Sequence, residues 1–198
     1  TALAGSENTK FQLPLISSGT ISIVVDWGDG STDNITSFNQ SQTLHEYSSS
    51  GVYNISIKGE VKGWRFNNSG DKDKIINISN WGQFNFTNNN SFFNCSNLTS
   101  TATDKPIISI SNLEKTFRQC SNFNGDISNW DVSSVTKISN MFRNCTNFNQ
   151  DLSNWDIRNV TNMDLIMEGV TLSTANYDAL LIGWEDQEPE QDCEPNFG

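Results

Sequence analysis

The chain has a single histidine, His45, and few basic residues, with 12 Lys and Arg against 23 Asp and Glu. Long apolar runs are missing too, and each shortage removes a class of function. One histidine excludes multi-histidine metal sites such as HExxH and leaves a Ser–His nucleophile only through itself. A net charge of −11 repels phosphate backbones and anionic lipid heads, so nucleic acid and membrane surfaces are poor partners. No stretch approaches the roughly 18 to 20 apolar residues of a membrane helix, and the longest of note, Ile21 to Val25, is strand-sized. No glycine-rich phosphate loop or dinucleotide fingerprint occurs. Thr1-Ala2-Leu3-Ala4-Gly5 has neither the basic start nor the apolar stretch of a leader, so any leader has been removed or was never there.

What is present is periodic. Cys95, Cys120 and Cys145 lie 25 residues apart, as do Phe92, Phe117 and Phe142, and Leu98, Phe123 and Phe148. Trp130 with Trp155, Asp131 with Asp156, Val135 with Val160, and Leu113 with Ile138 and Met163 keep the same interval. A fixed period of this size predicts a solenoid, in which each unit buries its apolar residues only against its neighbours. The hydrophobic share is only 35% and Asn fills 27 positions, yet 12 Phe and 6 Trp, placed periodically, argue for a folded and surface-rich protein. Three of the four cysteines occupy the periodic core position, so they read as reduced, buried thiols, whereas Cys193 reads as a free or intermolecular one.

The first segment reads as β structure. Phe11-Gln12-Leu13-Pro14-Leu15, Ile21-Ser22-Ile23-Val24-Val25 and Val52-Tyr53-Asn54-Ile55-Ser56-Ile57 have strand character, and Asp26-Trp27-Gly28-Asp29-Gly30 supplies a tight turn. Each later unit is expected to hold a short strand around Phe123 to Trp130 and a helical turn near Ser139 to Arg143. Leu172 to Trp184 breaks the period and reads as a capping helix, with Ser173 or Thr174 as N-cap and Gly183 as its end.

Two resemblances attach to these residues. Val25-Asp26-Trp27-Gly28-Asp29-Gly30-Ser31, with His45-Glu46-Tyr47 and Gly51-Val52-Tyr53, resembles the PKD (polycystic kidney disease-type) β-sandwich pattern. Ile127-Ser128-Asn129-Trp130, Trp130-Asp131-Val132-Ser133-Ser134-Val135-Thr136 and Met141-Phe142-Arg143-Asn144-Cys145 resemble the BspA-type leucine-rich repeat surface proteins, also called the 25-residue lipoprotein repeat. Together they imply a mainly β fold with short helical turns: a PKD-like β segment (residues 1–63), a leucine-rich-repeat-type solenoid (64–184) with a capping helix (173–184), and an acidic tail (185–198).

For chemistry, the strongest ligand idea is calcium held by Asp26, Asp29 and Asp33, clustered about one loop and carrying the hard oxygens this ion takes. Asp126 with Asp151 and Asp131 with Asp156 are further carboxylates that stacking would bring close. The plainer reading is that each carboxylate accepts N–H bonds in its own turn. No other cofactor is expected. Trp27, Trp64, Trp81, Trp130, Trp155 and Trp184 are candidate sugar-stacking rings, although recurrence in register also suits packing. Sequons such as Asn34-Ile35-Thr36 and Asn97-Leu98-Thr99 are as many as an Asn-rich chain produces by chance.

The functional expectation is a non-catalytic, surface-exposed recognition or adhesion module with protein or glycan partners. The resemblance implies an extracellular or cell-surface setting. Two alternatives stand beside it: a virion structural protein, such as a capsid decoration or fibre component at the virion surface, and the carbohydrate-binding accessory module of an enzyme.

Overall fold

The computed structural model describes residues 7–185 and 187. The rest of the acidic tail, Cys193 included, lies outside the described residues. The N-terminal part holds two antiparallel sheets. Strand β1 (Lys10–Gln12) pairs with β4 (Leu44–Glu46), while β2 (Ile21–Asp26) lies between β3 (Thr32–Ile35) and β5 (Ser56–Val61). Along β2 the side chains alternate strictly, with Ile21, Ile23 and Val25 buried and Ser22, Val24 and Asp26 exposed, as the period-two pattern demands. The third strand comes four residues later than Val52 to Ile57 suggests: Gly51 to Ile55 is irregular, and β5 runs on to Val61, just short of the expected boundary at residue 63. Gly59 permits this, because its φ of 110° lets the strand pass close to Ser22.

The expected leucine-rich-repeat solenoid is not what forms beyond residue 63. The sheets there are small: β6 (Asn77–Ile78) pairs in parallel with β8 (Thr99–Ser100), and β7 (Asn85–Phe86) with β9 (Ile107–Ile108). After these, the described residues show only isolated bridges, Asn112 to Lys137 and Lys137 to Asn162, so no solenoid sheet runs through the repeats. The strand expected at Phe123 to Trp130 is absent, and the helical turn expected near Ser139 to Arg143 is a pair of overlapping turns, Met141 N donating to Ile138 O and Arg143 N to Asn140 O. A PKD-like sandwich is likewise not shown: among the described residues the N-terminal part holds the two small sheets already described.

The physical reason lies in the backbone. Positive φ recurs at Asn90 and Asn94, Lys115 and Gln119, Asn140 and Asn144, and Leu165 and Gly169. A left-handed residue at every fourth position stops a helix and a strand alike. What remains is a run of overlapping turns. In one run Thr116, Arg118 and Cys120 donate N–H to the carbonyls of Leu113, Lys115 and Phe117 at 2.9–3.2 Å. The alternate residues Leu113, Lys115, Phe117 and Gln119 donate instead to Lys137, Ser139, Met141 and Arg143 of the next run, at 2.8–3.1 Å. Every N–H from Leu113 to Cys120 is therefore used, alternating between the next run and the run's own turns, with that of Glu114 on Asn112 Oδ1.

The repeat thus exists as stacked turn runs around a continuous core. Phe92, Phe117 and Phe142 lie parallel, with centroids 5.7 and 6.0 Å apart, and Phe123 lies over Phe148 at 6.3 Å. Cys95, Cys120 and Cys145 are free and buried. The thiols of Cys120 and Cys145 point at the carbonyls of Phe92 and Phe117, at 2.9 and 2.8 Å. Burial pushes both thiols well above the ordinary range, which makes them poor nucleophiles. One unit departs from the pattern: Lys105 stands where the period asks for tryptophan, and Trp81 and Trp130 meet edge to face across it at 5.3 Å.

Helix α1 (Thr174–Glu185) closes one side of the stack by imitating a further unit. Trp155 Nε1 donates to Ile127 O at 3.0 Å, and Trp184 of the helix donates to Leu152 O at the same distance. Asn149 N donates to Asn124 Oδ1 at 2.8 Å, and Ser173 N repeats this on Asn149 Oδ1. Ser173 is also the N-cap, its Oγ accepting from Asn176 N at 3.3 Å. Gly183 does not end the helix as expected. It lies inside, where a Cβ would come within 2.3 Å of Ser153 O.

Candidate functional site

The loop after β2 gathers three of the candidate residues, each with a different partner. Asp26 Oδ1 accepts from Gly28 N at 3.0 Å, and Asp33 Oδ2 accepts from Trp27 Nε1 at 2.8 Å. Asp29 Oδ1 accepts from both the N–H and the hydroxyl of Ser31, while its Oδ2 lies 2.9 Å from His45 Nε2. The Ser31 hydroxyl bond, the His45 contact and the Ser31 N–H together hold the Asp29 carboxyl at about 2. Among the described residues, no group of three His, Cys, Asp or Glu side chains is placed to hold a metal ion. The three carboxylates proposed for calcium are therefore engaged separately in turn and strand contacts.

His45 belongs to an aromatic column. Its ring stacks on Trp27 at 4.5 Å and meets Tyr47 edge on, also at 4.5 Å, and Tyr47 stacks on Tyr53 at 3.9 Å. Tyr47 donates its hydroxyl to Trp27 O, and burial, reinforced by the Asp29 charge, pushes that hydroxyl up to about 12. The hydroxyl of Ser31 bonds to Asp29, the same carboxylate that contacts His45, so serine, aspartate and histidine do not form a relay in the order nucleophilic catalysis needs.

On the repeats, the carboxylates also serve their own turns. Asp126 takes the N–H and hydroxyl of Ser128, Asp131 those of Ser133, Asp151 the N–H of Ser153, and Asp156 the guanidinium of Arg158. These donors lower the Asp126, Asp131 and Asp156 carboxyls. All six tryptophans are buried, from fully covered at Trp27 and Trp155 to 8% exposed at Trp64, so none offers a ring face for sugar stacking. The turns between the repeated rings present amide and hydroxyl groups, while exposed apolar side chains such as Val52 and Ile182 lie elsewhere.

A concavity lined by amide and hydroxyl groups, about 470 Å³, lies between residues 87–89 and 109–112. Its walls are Thr, Asn and Ser apart from Ile110. It forms where the N-terminal part meets the first units: Gly63 N donates to Thr87 Oγ1 at 3.1 Å, and Asn85 Nδ2 to Ser109 Oγ at 2.9 Å. The repeat period alone did not point to it. The available signal was Lys105 in place of tryptophan, which marks the unit whose course differs.

Residues 63–180, more than half of the chain, match a protein family described as a Mycoplasma protein of unknown function, DUF285. The chain belongs to the DUF285 family. The match begins at Gly63, beside the cleft, and ends at Leu180, inside α1, so the DUF285 region comprises the turn runs and most of the closing helix. This agrees with the coarser part of the sequence resemblance, a surface-type repeat protein. No curated protein and no solved structure matches the chain. Among the described residues, no helix is long and apolar enough to cross a membrane.

Proposed function

We propose that the protein is a non-catalytic recognition or adhesion module displayed outside the cell, meeting protein or glycan partners through the polar turns of its DUF285 region. The carrying observation is a division of labour within each unit. The periodic Phe, Cys and Trp side chains are buried, while the residues between them at the turns are Asn, Ser, Thr and Asp held in register. A rigid core that repeats one polar surface suits binding, and the likeness of the repeat phrases to BspA-type surface repeats supports the same reading. The cleft between residues 87–89 and 109–112 favours glycans as one partner class, since hydroxyl and amide walls match sugar hydroxyls.

Two measurements test this. A membrane-impermeant amine reagent applied to intact producing cells should label the exposed Lys58. Labelling only after lysis would sink the surface assignment. Substituting Asn88 and Ser111 by Ala should weaken binding to a responsive glycan or protein array while leaving the melting temperature within a few degrees, and unchanged binding would remove the cleft from the proposal.

A further inference from the structure

The ladder between turn runs stops at donors without an acceptor. Ile138, Asn140, Phe142 and Asn144 donate their N–H groups to Asn162, Asp164, Ile166 and Glu168 at 2.7–2.9 Å, as the preceding run donates to Lys137, Ser139, Met141 and Arg143. The equivalent donors of the last run belong to Met163, Leu165, Met167 and Gly169. None of these N–H groups has a hydrogen-bond partner among the described residues. The run itself is fully formed. Ile166, Glu168 and Val170 close its inner turns, and Leu165 and Gly169 hold φ of 54° and 76°, matching 56° and 61° at Asn140 and Asn144. The free donors therefore keep the orientation of their counterparts, facing along the stack away from residues 138–144. Helix α1 covers the other side, through its bonds to Asn149 and Leu152.

We propose that this edge docks a peptide segment of another protein, held through backbone carbonyls presented at alternate residues. The donors of Met163 and Met167 belong to almost fully buried residues, and an incoming carbonyl row pairs this edge as the next run does elsewhere in the stack. A second copy of this chain does not fit. Edge to edge it sets donor against donor. The opposite end of its stack is covered by the N-terminal part, with Gln12 N donating to Asp71 Oδ2, Lys74 Nζ to the carbonyls of Glu7 and Lys10, and Arg65 N to Pro14 O. The side chains beside the edge narrow the partner. Leu165 and Val170 are half-buried and offer apolar contact, exposed Asp164 favours a basic residue, and Glu168 is already held by Arg143 at 2.6 Å. The inference deepens the recognition role proposed above and rests on it, since an edge of this kind serves a chain that meets other proteins.

The probe is a synthetic peptide copying residues 136–148, whose carbonyls accept this donor pattern inside the molecule. Amide hydrogen exchange is followed by NMR on the full chain. Without peptide, the Met163, Leu165, Met167 and Gly169 amides should exchange fast relative to those of Ile138, Asn140, Phe142 and Asn144. Saturating peptide should slow them by about tenfold or more while leaving the amides of β2 unchanged. No slowing overturns the proposal. So does protection already present without peptide, and if a chain ending at Gln187 loses that protection, its own tail is the occupant. A failure of cell-surface labelling would be a separate result, because this exchange pattern does not depend on where the protein resides.

Discussion

Strand β2 and the turn run of residues 113–120 both send backbone hydrogen bonds to neighbouring segments, yet only one of them is a strand. In β2 every residue keeps extended backbone and the side chains alternate between core and solvent. In the turn run, Leu113, Thr116, Phe117 and Cys120 are buried, a spacing of three, four and seven that belongs to a helix face. Left-handed backbone at Lys115 and Gln119 converts that spacing into overlapping turns. Cross-linked segments thus arise from two unlike backbones, and the side-chain spacing tells them apart only if the sign of φ is known.

The largest expected effect comes from breaking the packed column that the turn runs share. Phe142 is fully buried, lies parallel to Phe117 at 6.0 Å and stacks on Phe148 at 4.3 Å. Phe142→Ala should cost about 3–5 kcal/mol in urea denaturation. Phe11, at 9% exposure in the two-stranded sheet, should cost less on the same change. Equal losses would mean that both regions depend on single rings to the same degree.

The next effect tests the backbone rather than the core. A Cβ on Gly59 would lie 2.2 Å from Ser22 O at a φ of 110°, so Gly59→Ala should destabilise the three-stranded sheet by more than about 2 kcal/mol. In the turn runs the left-handed positions tolerate side chains, but not at no cost. Asn140→Ala, at φ 56°, should cost only about 1 kcal/mol. A Gly59→Ala protein as stable as the parent in thermal melts would show that β5 can move away from β2.

Leu165 offers the reverse experiment. It holds φ 54° where the run three repeats earlier has Asn90 and the run one repeat earlier has Asn140. Leu165→Asn should stabilise the protein by about 0.5–1 kcal/mol, because Asn enters left-handed backbone more readily than a γ-branched side chain. Thermal denaturation reads the sign directly, and a loss would show that the half-buried Leu165 side chain matters more than its φ.

These residues also show how much of the fold the chain makes legible. Alternation exposes β2 because burial and backbone share one period there. The 25-residue interval exposes the stacked rings and thiols, since identical side chains in register suit only one arrangement. The turn runs were hidden for a physical reason: apolar spacing of three and four residues is common to a helix and to overlapping turns. Asn90, Asn94, Asn140 and Asn144 signal left-handed backbone, but Lys115, Gln119 and Leu165 conceal that the signal repeats. Of the candidate site, the Asp26 to Asp33 loop was legible as acidic turns. Its actual partners, Trp27 for Asp33 and His45 for Asp29, depend on strand pairing that local spacing does not encode. The cleft and the open donor edge escaped because each arises where the period is interrupted.

The smallest effect separates the charged turns of the two regions. A carboxyl whose pKa is depressed in the folded state adds stability that is complete above its unfolded value and disappears as pH falls through the folded one. For Asp29 that interval runs from the ordinary 3.8 down to about 2, set first by the Ser31 hydroxyl and next by His45. Asp126, Asp131 and Asp156 in the turn runs are lowered in the same direction by Ser128, Ser133 and Arg158. The melting temperature should therefore hold down to about pH 4 and decline from there toward pH 2. Asp126 and Asp131 are exposed and Asp29 and Asp156 keep part of their surface in water, so the decline is shallow, and added salt should flatten it most where Arg158 and His45 are the partners. Asp29→Asn keeps the turn geometry but removes the titrating charge, and should shrink the acid limb without changing its onset. An acid limb of unchanged depth in that variant would assign the whole effect to the turn runs and leave the Asp29 and His45 contact without a stabilising role.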